Sequence, residues 1–297
     1  MYFFFRCAAW LVPHLPRWFS NVLPDIIGPL AWLLATRARR QARRNALHVL
    51  GTETQSTATG RRKLRRVTRG MFRQNVSNYL DALLMPFIKQ QDILDQVIIA
   101  NAICLEEALA LGKGVILFTP HFGPFERTSP WFSTHGYHVT IPVERLKDER
   151  MLNLMLKLRN SGGATYVPLG GSTPLRTIIQ ALRQNQMVLF TTDRAVEGES
   201  VVVDFFGAPA RLPIGPVHLS LRTGAPLVSA FGWYTARNKI GGSFSHLTLA
   251  LSEEERQRPE AVEAALIKSM EQVISKHPEQ WMVFAPIWLE PEGAEAL

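Results

Sequence analysis

His121 and Glu126 stand in the hexapeptide His121-Phe122-Gly123-Pro124-Phe125-Glu126, directly after the apolar run Gly114-Val115-Ile116-Leu117-Phe118-Thr119-Pro120. An imidazole beside a carboxylate is what a general base needs, because the carboxylate fixes the tautomer and stabilises the imidazolium formed when the ring takes a proton. Gly123-Pro124 turns the chain before a new helix, and that turn can bring the two side chains together. The same spacing also suits a core histidine at a strand end and an unrelated surface glutamate. If a tetrahedral intermediate forms here, its oxyanion needs donors, and backbone N–H groups around Gly123 or near Leu212 to Gly215 are candidates.

The elements that would position these groups follow from the pattern of apolar residues. From about residue 112, short apolar runs alternate with helical stretches: 114–119, 137–143, a helix near 148–160, 164–168, a helix from 173 to about 184, and 187–192. Such alternation predicts an α/β fold with a mixed, mostly parallel sheet flanked by helices. Residues 201–206 and 227–231 read as further strands, alternation at Leu247, Leu249 and Leu251 as a half-exposed edge strand, and 259–276 as a last amphipathic helix. Thr191-Thr192-Asp193-Arg194 follows the run 187–192, so parallel strands would put it on the same sheet edge as His121. Asp193 there is either a site carboxylate or a turn cap paired with its neighbour. Arg159 ends the 148–160 helix, where a cation complements the dipole; Glu144 and Arg145 end the 137–143 run and have the same ambiguity.

Charge divides the 297 residues unevenly. The chain carries +8, but twelve Lys or Arg and a single acid, Glu53, lie between Arg37 and Arg73, so this segment holds +11 and the remainder −3. That basicity points to an anionic surface or ligand. Residues 3–36 are rich in Phe, Leu, Trp and Ile with Arg6, Arg17 and Asp25 as their charges, and the arginines begin where this stretch ends. An apolar segment with a basic flank is the order of a membrane attachment with its flank on the cytoplasmic side. Pro13, Pro16, Pro24 and Pro29 interrupt it, which favours interfacial helices over one spanning helix. The helical pattern of residues 61–88 follows. Three regions are therefore expected: a membrane-associating helical segment at 1–36, a basic helical region at 37–111 packed on the core, and the α/β core at 112–297.

Several classes lack support. Cys7 and Cys104 stand alone, and the His-x-x-His of His135 and His138 has no third ligand near it, so no metal site is expected. Neither a Gly-x-Ser-x-Gly elbow nor a nucleotide-binding glycine fingerprint is present. The basic segment 37–69 lacks the interleaved aromatics of a nucleic-acid face, so no nucleic-acid partner is expected.

Several motifs in order carry a family resemblance over roughly residues 35–290. His121 through Glu126 resembles the His-x4-Asp/Glu motif of glycerolipid-type acyltransferases, in particular the branch of lipid A late (lauroyl and myristoyl) acyltransferases and phosphatidylinositol mannoside acyltransferases. Arg43-Arg44-Asn45 through Gly51, Asp204-Phe205-Phe206-Gly207, Leu212 through Pro216, Leu221 through Pro226, and His277-Pro278-Glu279-Gln280-Trp281 look like further segments of that branch. Glu126 leans toward the lipid A group, whereas the ending Met282 through Trp288 looks more like the mannoside type. The resemblance implies a membrane-associated O-acyltransferase of glycerolipid-acyltransferase-like fold on the cytoplasmic face of the inner membrane. It would move a long fatty acyl chain from acyl-carrier protein or acyl-CoA to a glycolipid hydroxyl, without a metal or redox cofactor. It assigns His121 as base with Glu126 orienting it, places the acidic Asp193-Arg194 element close by, and sets Arg159 near phosphate groups. Arg145, Gly123 and the pair Phe205 and Phe206 complete the expected substrate contacts, the phenylalanines either lining an acyl tunnel or forming ordinary core. Rival readings are a lipid or thioester hydrolase on the same scaffold and a non-enzymatic basic membrane-binding module.

Overall fold

The computed structural model describes residues 2–170, 173–195, 200–236 and 239–289. Four helices come first: α1 (Tyr2–Leu11), α2 (Arg17–Leu34), α3 (Thr36–Leu50) and the long α4 (Ala58–Leu84). Then come α5 (Gln90–Gln96), β1 (Val97–Ala100), α6 (Ile103–Leu109), β2 (Val115–Thr119), α7 (Phe125–Thr128), α8 (Pro130–Thr134), β3 (Val139–Val143), α9 (Glu149–Asn160), β4 (Thr165–Pro168), α10 (Thr173–Arg183) and β5 (Met187–Thr191). The hairpin β6 (Ser200–Phe205) and β7 (Ala208–Pro213) leads to α11 (Gly215–Thr223), β8 (Leu227–Ala236), β9 (Lys239–His246), α12 (Glu253–Arg256) and α13 (Pro259–Lys276).

The main sheet has the order β1-β9-β8-β2-β5-β3-β4, with every neighbouring pair parallel except β8 and β9. This is the mixed, mostly parallel sheet that the alternation predicts. β2 lies at its centre and all five of its residues are buried, as expected of a strand covered on both faces. One face packs Ile116 and Phe118 against Leu182, Leu266 and Met270, in a cluster that also takes in Ala42 and Ala46 of α3 and Leu64, Met71 and Phe72 of α4. The other face packs Val115 and Leu117 with Trp131, Phe132, Val139 and Phe244. The basic helices thus contribute to the same core as the sheet.

Three differences from the sequence reading have local causes. Residues 247–251 are not an edge strand but contain the 3-10 turn Thr248–Ala250, and the strand lies just before, in the Gly/Ser-rich β9. Weak apolar content hid β9, whose register is set instead by antiparallel pairing with β8, Val228 opposite His246. The sheet also begins before residue 112, since β1 pairs with β9.

At the N-terminus, Phe5, Ala8, Val12 and Leu23 pack against Leu80 and Leu83 of α4 and Met155 and Leu158 of α9. The opposite side leaves Phe3, Phe4, Trp10, Trp18, Ile26, Leu30, Leu33 and Leu34 exposed. No single described helix is long and apolar enough to cross a membrane.

Candidate active site

The register of two parallel strands places the first two site residues. β2 and β5 pair from Val115 with Met187 to Thr119 with Thr191, and the Thr192 N–H continues the ladder to the Thr119 carbonyl at 3.0 Å. His121 and Asp193 are each two residues past those paired ends, at the carboxyl edge of the sheet where open α/β folds build sites. The His121 Nδ1–H donates to Asp193 Oδ1 at 2.7 Å, and the His121 backbone N–H donates to Oδ2 at 2.8 Å. The Trp281 indole N–H also donates to Oδ2, at 2.7 Å.

Asp193 has no exposed surface. Burial alone would raise its carboxyl, but the charge of His121 and the bonds from His121 and Trp281 outweigh that cost and hold it below the usual carboxylate range. An ionised Asp193 can only accept, so Nδ1 carries a proton in either charge state of the ring, and in the neutral ring Nε2 presents its lone pair. The imidazole is 27% exposed, and Nε2 bonds to no described residue. Such a ring, with its tautomer fixed and Nε2 open, has the chemistry of a general base.

The loop bearing His121 is clamped by the C-terminal segment. Gly123 N–H donates to Gln280 O and Met282 N–H to His121 O, both at 2.8 Å, forming a bridge between Phe122 and Trp281. Gln280 in turn exchanges side-chain bonds with the Tyr234 backbone on β8, and Asn78 Nδ2 on α4 donates to Gly123 O at 2.9 Å. Gly123 has φ +62°, and a Cβ there would lie 1.9 Å from the Gly232 carbonyl oxygen. Glycine is required at this crossing by both conformation and space. Because its N–H is already bonded to Gln280, Gly123 shapes the loop and is not a free oxyanion donor.

Glu126 departs from its expected pairing. The turn sends it inward to Arg159 rather than toward His121: Oε1 accepts from Arg159 Nε at 2.8 Å and from Nη2. Glu126 is 1% exposed, and burial pushes its carboxyl up while Arg159 opposes that shift. Its Oε2 has no partner. The Arg159 guanidinium lies 5.6 Å above the Tyr166 ring. Arg159 is therefore spent on Glu126 and not left as a free helix-end cation. The carboxylate that orients His121 is Asp193, and the Glu126–Arg159 pair ties α7 to α9 behind the loop.

The other expected contacts divide. Arg194 pairs with Glu144, joining the ends of β5 and β3 at the same sheet edge. Arg145 pairs with Glu149 in solvent. Phe205 has no accessible surface, being packed against Trp281 and Trp288, so it is core and cannot line a tunnel that substrate enters. Phe206, partly buried, adopts φ +53° at the hairpin turn. His135 stacks on Trp131, and no group of three or more His, Cys, Asp or Glu among the described residues is placed to hold a metal ion. A cavity of about 460 Å³ lies elsewhere, between α2, α4 and the end of β8, lined by Gln74, Asp81, Arg127 and Tyr234 among others.

Trp281, Gln280 and Asn78 were not singled out as site residues. The first two lie in the His277-to-Trp281 motif, so a signal existed; Asn78 sits in an ordinary helical pattern and gave none.

Two Mycobacterium tuberculosis proteins named phosphatidylinositol mannoside acyltransferase are similar to the chain. That of strain CDC 1551 is 32% identical over 188 residues, covering 62% of this chain and 58% of the relative. That of strain H37Rv is 31% identical over 210 residues, 69% of this chain and 65% of the relative. A phosphatidylinositol mannoside acyltransferase of Mycolicibacterium smegmatis is 26% identical over 211 residues, 70% of this chain and 68% of the relative. The chain thus spans less than two thirds of the length of the first two relatives. The model of the bacterial lipid A biosynthesis acyltransferases matches residues 1–290, and the chain belongs to that family.

Proposed function

We propose that this protein transfers a long-chain fatty acyl group from a thioester, on acyl-carrier protein or coenzyme A, to a hydroxyl of a glycolipid of lipid A or mannoside type at the cytoplasmic face of the inner membrane. The observation that carries the reading is the free Nε2 of His121, whose Nδ1 proton is fixed on buried, ionised Asp193. In the proposed step Nε2 takes the acceptor hydroxyl proton as the oxygen attacks the thioester carbonyl. The tetrahedral intermediate then collapses with loss of the C–S bond, and the imidazolium returns the proton to the departing thiolate. Nothing in this sequence needs a metal or redox cofactor. The glycolipid acceptor is supported by the names of the relatives. Membrane attachment is supported by the exposed apolar side of α1 and α2, next to the basic α3 and the basic first half of α4.

The test is lipid mass spectrometry of cells expressing the wild type or His121→Ala. One acylated glycolipid should accumulate only with the wild type, and turnover of the folded variant with a thioester donor should fall by roughly 10²–10⁴-fold. Acyl release at an unchanged rate without any acceptor would mark a hydrolase instead, and near-normal turnover of folded His121→Ala would refute the base.

A further inference from the structure

Three arginines crowd one indole where α2 meets α3. The guanidinium carbons of Arg39, Arg65 and Arg69 lie 4.9, 5.3 and 5.9 Å from the centre of the Trp32 ring. The ring itself is fixed, because its N–H donates to Thr68 Oγ1 at 3.1 Å and Thr68 is buried on α4. Arg39 also caps α2, donating to the Trp32 and Leu33 carbonyls. The guanidinium groups of Arg65 and Arg69, one turn apart on α4, make no ion pair or hydrogen bond with any described residue. Of the acids nearest in sequence, Asp25 pairs with Arg73, and Glu53 is the single acid from 37 to 73.

An indole has two faces, so it can stabilise one cation on each. A third guanidinium adds repulsion, and no carboxylate among the described residues forms an ion pair with any of the three. Guanidinium forks gathered round one ring, two of them without a side-chain acceptor among the described residues, offer donors to a phosphate, whose oxygens can take several charge-assisted bonds at once. Beside this cluster, on the same helix, Leu30, Leu33 and Leu34 are 51%, 57% and 76% exposed. A soluble phosphate has no use for that apolar surface, whereas a phospholipid would insert its chains there. The axes of α2 and α3 meet at 97°, which sets the apolar ridge and the basic helix at different depths of one interface.

We propose that Arg39, Arg65 and Arg69 around Trp32 form a clamp for the headgroup phosphate of an anionic membrane lipid, with the exposed leucines of α2 seated among its acyl chains. The clamp rests on the membrane reading above but adds a localised site to it. A diffuse basic surface would bind by total charge, with each arginine near the membrane worth roughly a fivefold change in affinity. A clamp makes particular arginines count for more.

The experiment compares the full-length wild type, Arg65→Gln/Arg69→Gln and the charge-matched control Arg62→Gln/Arg66→Gln, all on α4. Sedimentation is measured with phosphatidylcholine vesicles and with vesicles also containing phosphatidylglycerol, with folding verified by thermal melting. The clamp requires the Arg65/Arg69 variant to bind the anionic vesicles about tenfold or more weakly than the control, as expected for lost hydrogen bonds to a charged group. Equal losses in the two variants, with the wild type still binding, overturn the clamp and leave general membrane attraction in place. The same holds if only inorganic phosphate, added alone, distinguishes the variants in thermal stability. Selective loss of turnover with acyl-carrier protein at unchanged vesicle binding would also overturn it, assigning these arginines to an acidic protein. Failure of the wild type to bind either vesicle would refute both the clamp and the membrane reading.

Discussion

Replacing Asp193 with Asn separates the carboxylate that acts on His121 from the one that only stands near it in sequence. Asp193 accepts three hydrogen bonds, from His121 Nδ1, His121 N and the Trp281 indole. An asparagine of the same size has one oxygen to offer where two are needed. With its oxygen kept on the His121 backbone and Trp281, its NH₂ group faces Nδ1, which must then accept, moving the ring proton to Nε2. That tautomer cannot serve as base. The expected loss of turnover is about 10²–10⁴-fold, some 3–5.5 kcal/mol of transition-state stabilisation. The assay is acyl transfer from a thioester donor, with product quantified by mass spectrometry and fold checked by thermal melting. Because His121 and Asp193 act as one unit, His121→Ala/Asp193→Asn should be scarcely slower than His121→Ala alone. Glu126 belongs to a different unit, so His121→Ala/Glu126→Gln should show roughly the product of the two separate losses. Additive losses for the Asp193 cycle, or near-wild-type turnover of folded Asp193→Asn, would refute the relay.

Three further outcomes follow from the surrounding geometry. Glu126→Ala leaves Arg159 without its buried partner and should lower unfolding free energy by about 3–5 kcal/mol in denaturant titrations, whereas Glu126→Gln, which keeps an acceptor, should cost less; equal costs would show that the pair is not structural. Gly123→Ala should lose at least about 1–2 kcal/mol from its left-handed backbone alone and more from the Gly232 contact, with a matching fall in turnover; a variant as stable and active as wild type would disprove the close crossing. Burial beside Glu126 pushes the Asp81 carboxyl up from 3.8 to about 6 despite Arg127, so its stabilising contribution is fullest below pH 4 and is lost as pH rises toward 6. Asp81→Asn cannot titrate, and its stability relative to wild type should therefore improve by about 2 kcal/mol between pH 4 and pH 7. A pH-independent difference would show that Asp81 titrates normally.

Much of the sheet could be read from the chain because its central strands are buried on both faces and announce themselves as apolar runs. β2, β3, β4 and β5 each fall within a residue or two of the expected runs. β9 could not be read in the same way. Its Gly241, Gly242, Ser243 and Ser245 carry no strand signal, and it is held as a strand by partners on both sides, β8 and β1. The misread at Leu247, Leu249 and Leu251 has the same origin, since alternation over five residues fits a short turn as well as an edge strand.

The site shows how strand register can outweigh nearness in sequence. Glu126 is five positions from His121, yet the left-handed Gly123 and the start of α7 carry its side chain inward, to the guanidinium of Arg159. Asp193 is 72 positions away, yet it belongs with His121 because β2 and β5 are parallel, in register, and extended equally past their last paired residues. The same-edge argument was available from the sequence once the strands were taken as parallel; what it lacked was the register, which fixes whether two residues at one edge merely share it or touch. A His-x4-Glu spacing therefore specifies two separate tasks. The histidine is presented by the strand end and hydrogen-bonded to a carboxylate from the neighbouring strand. The glutamate, by holding Arg159 on α9, ties α7 to α9 behind the loop, so that its removal should cost stability without changing which tautomer Asp193 selects.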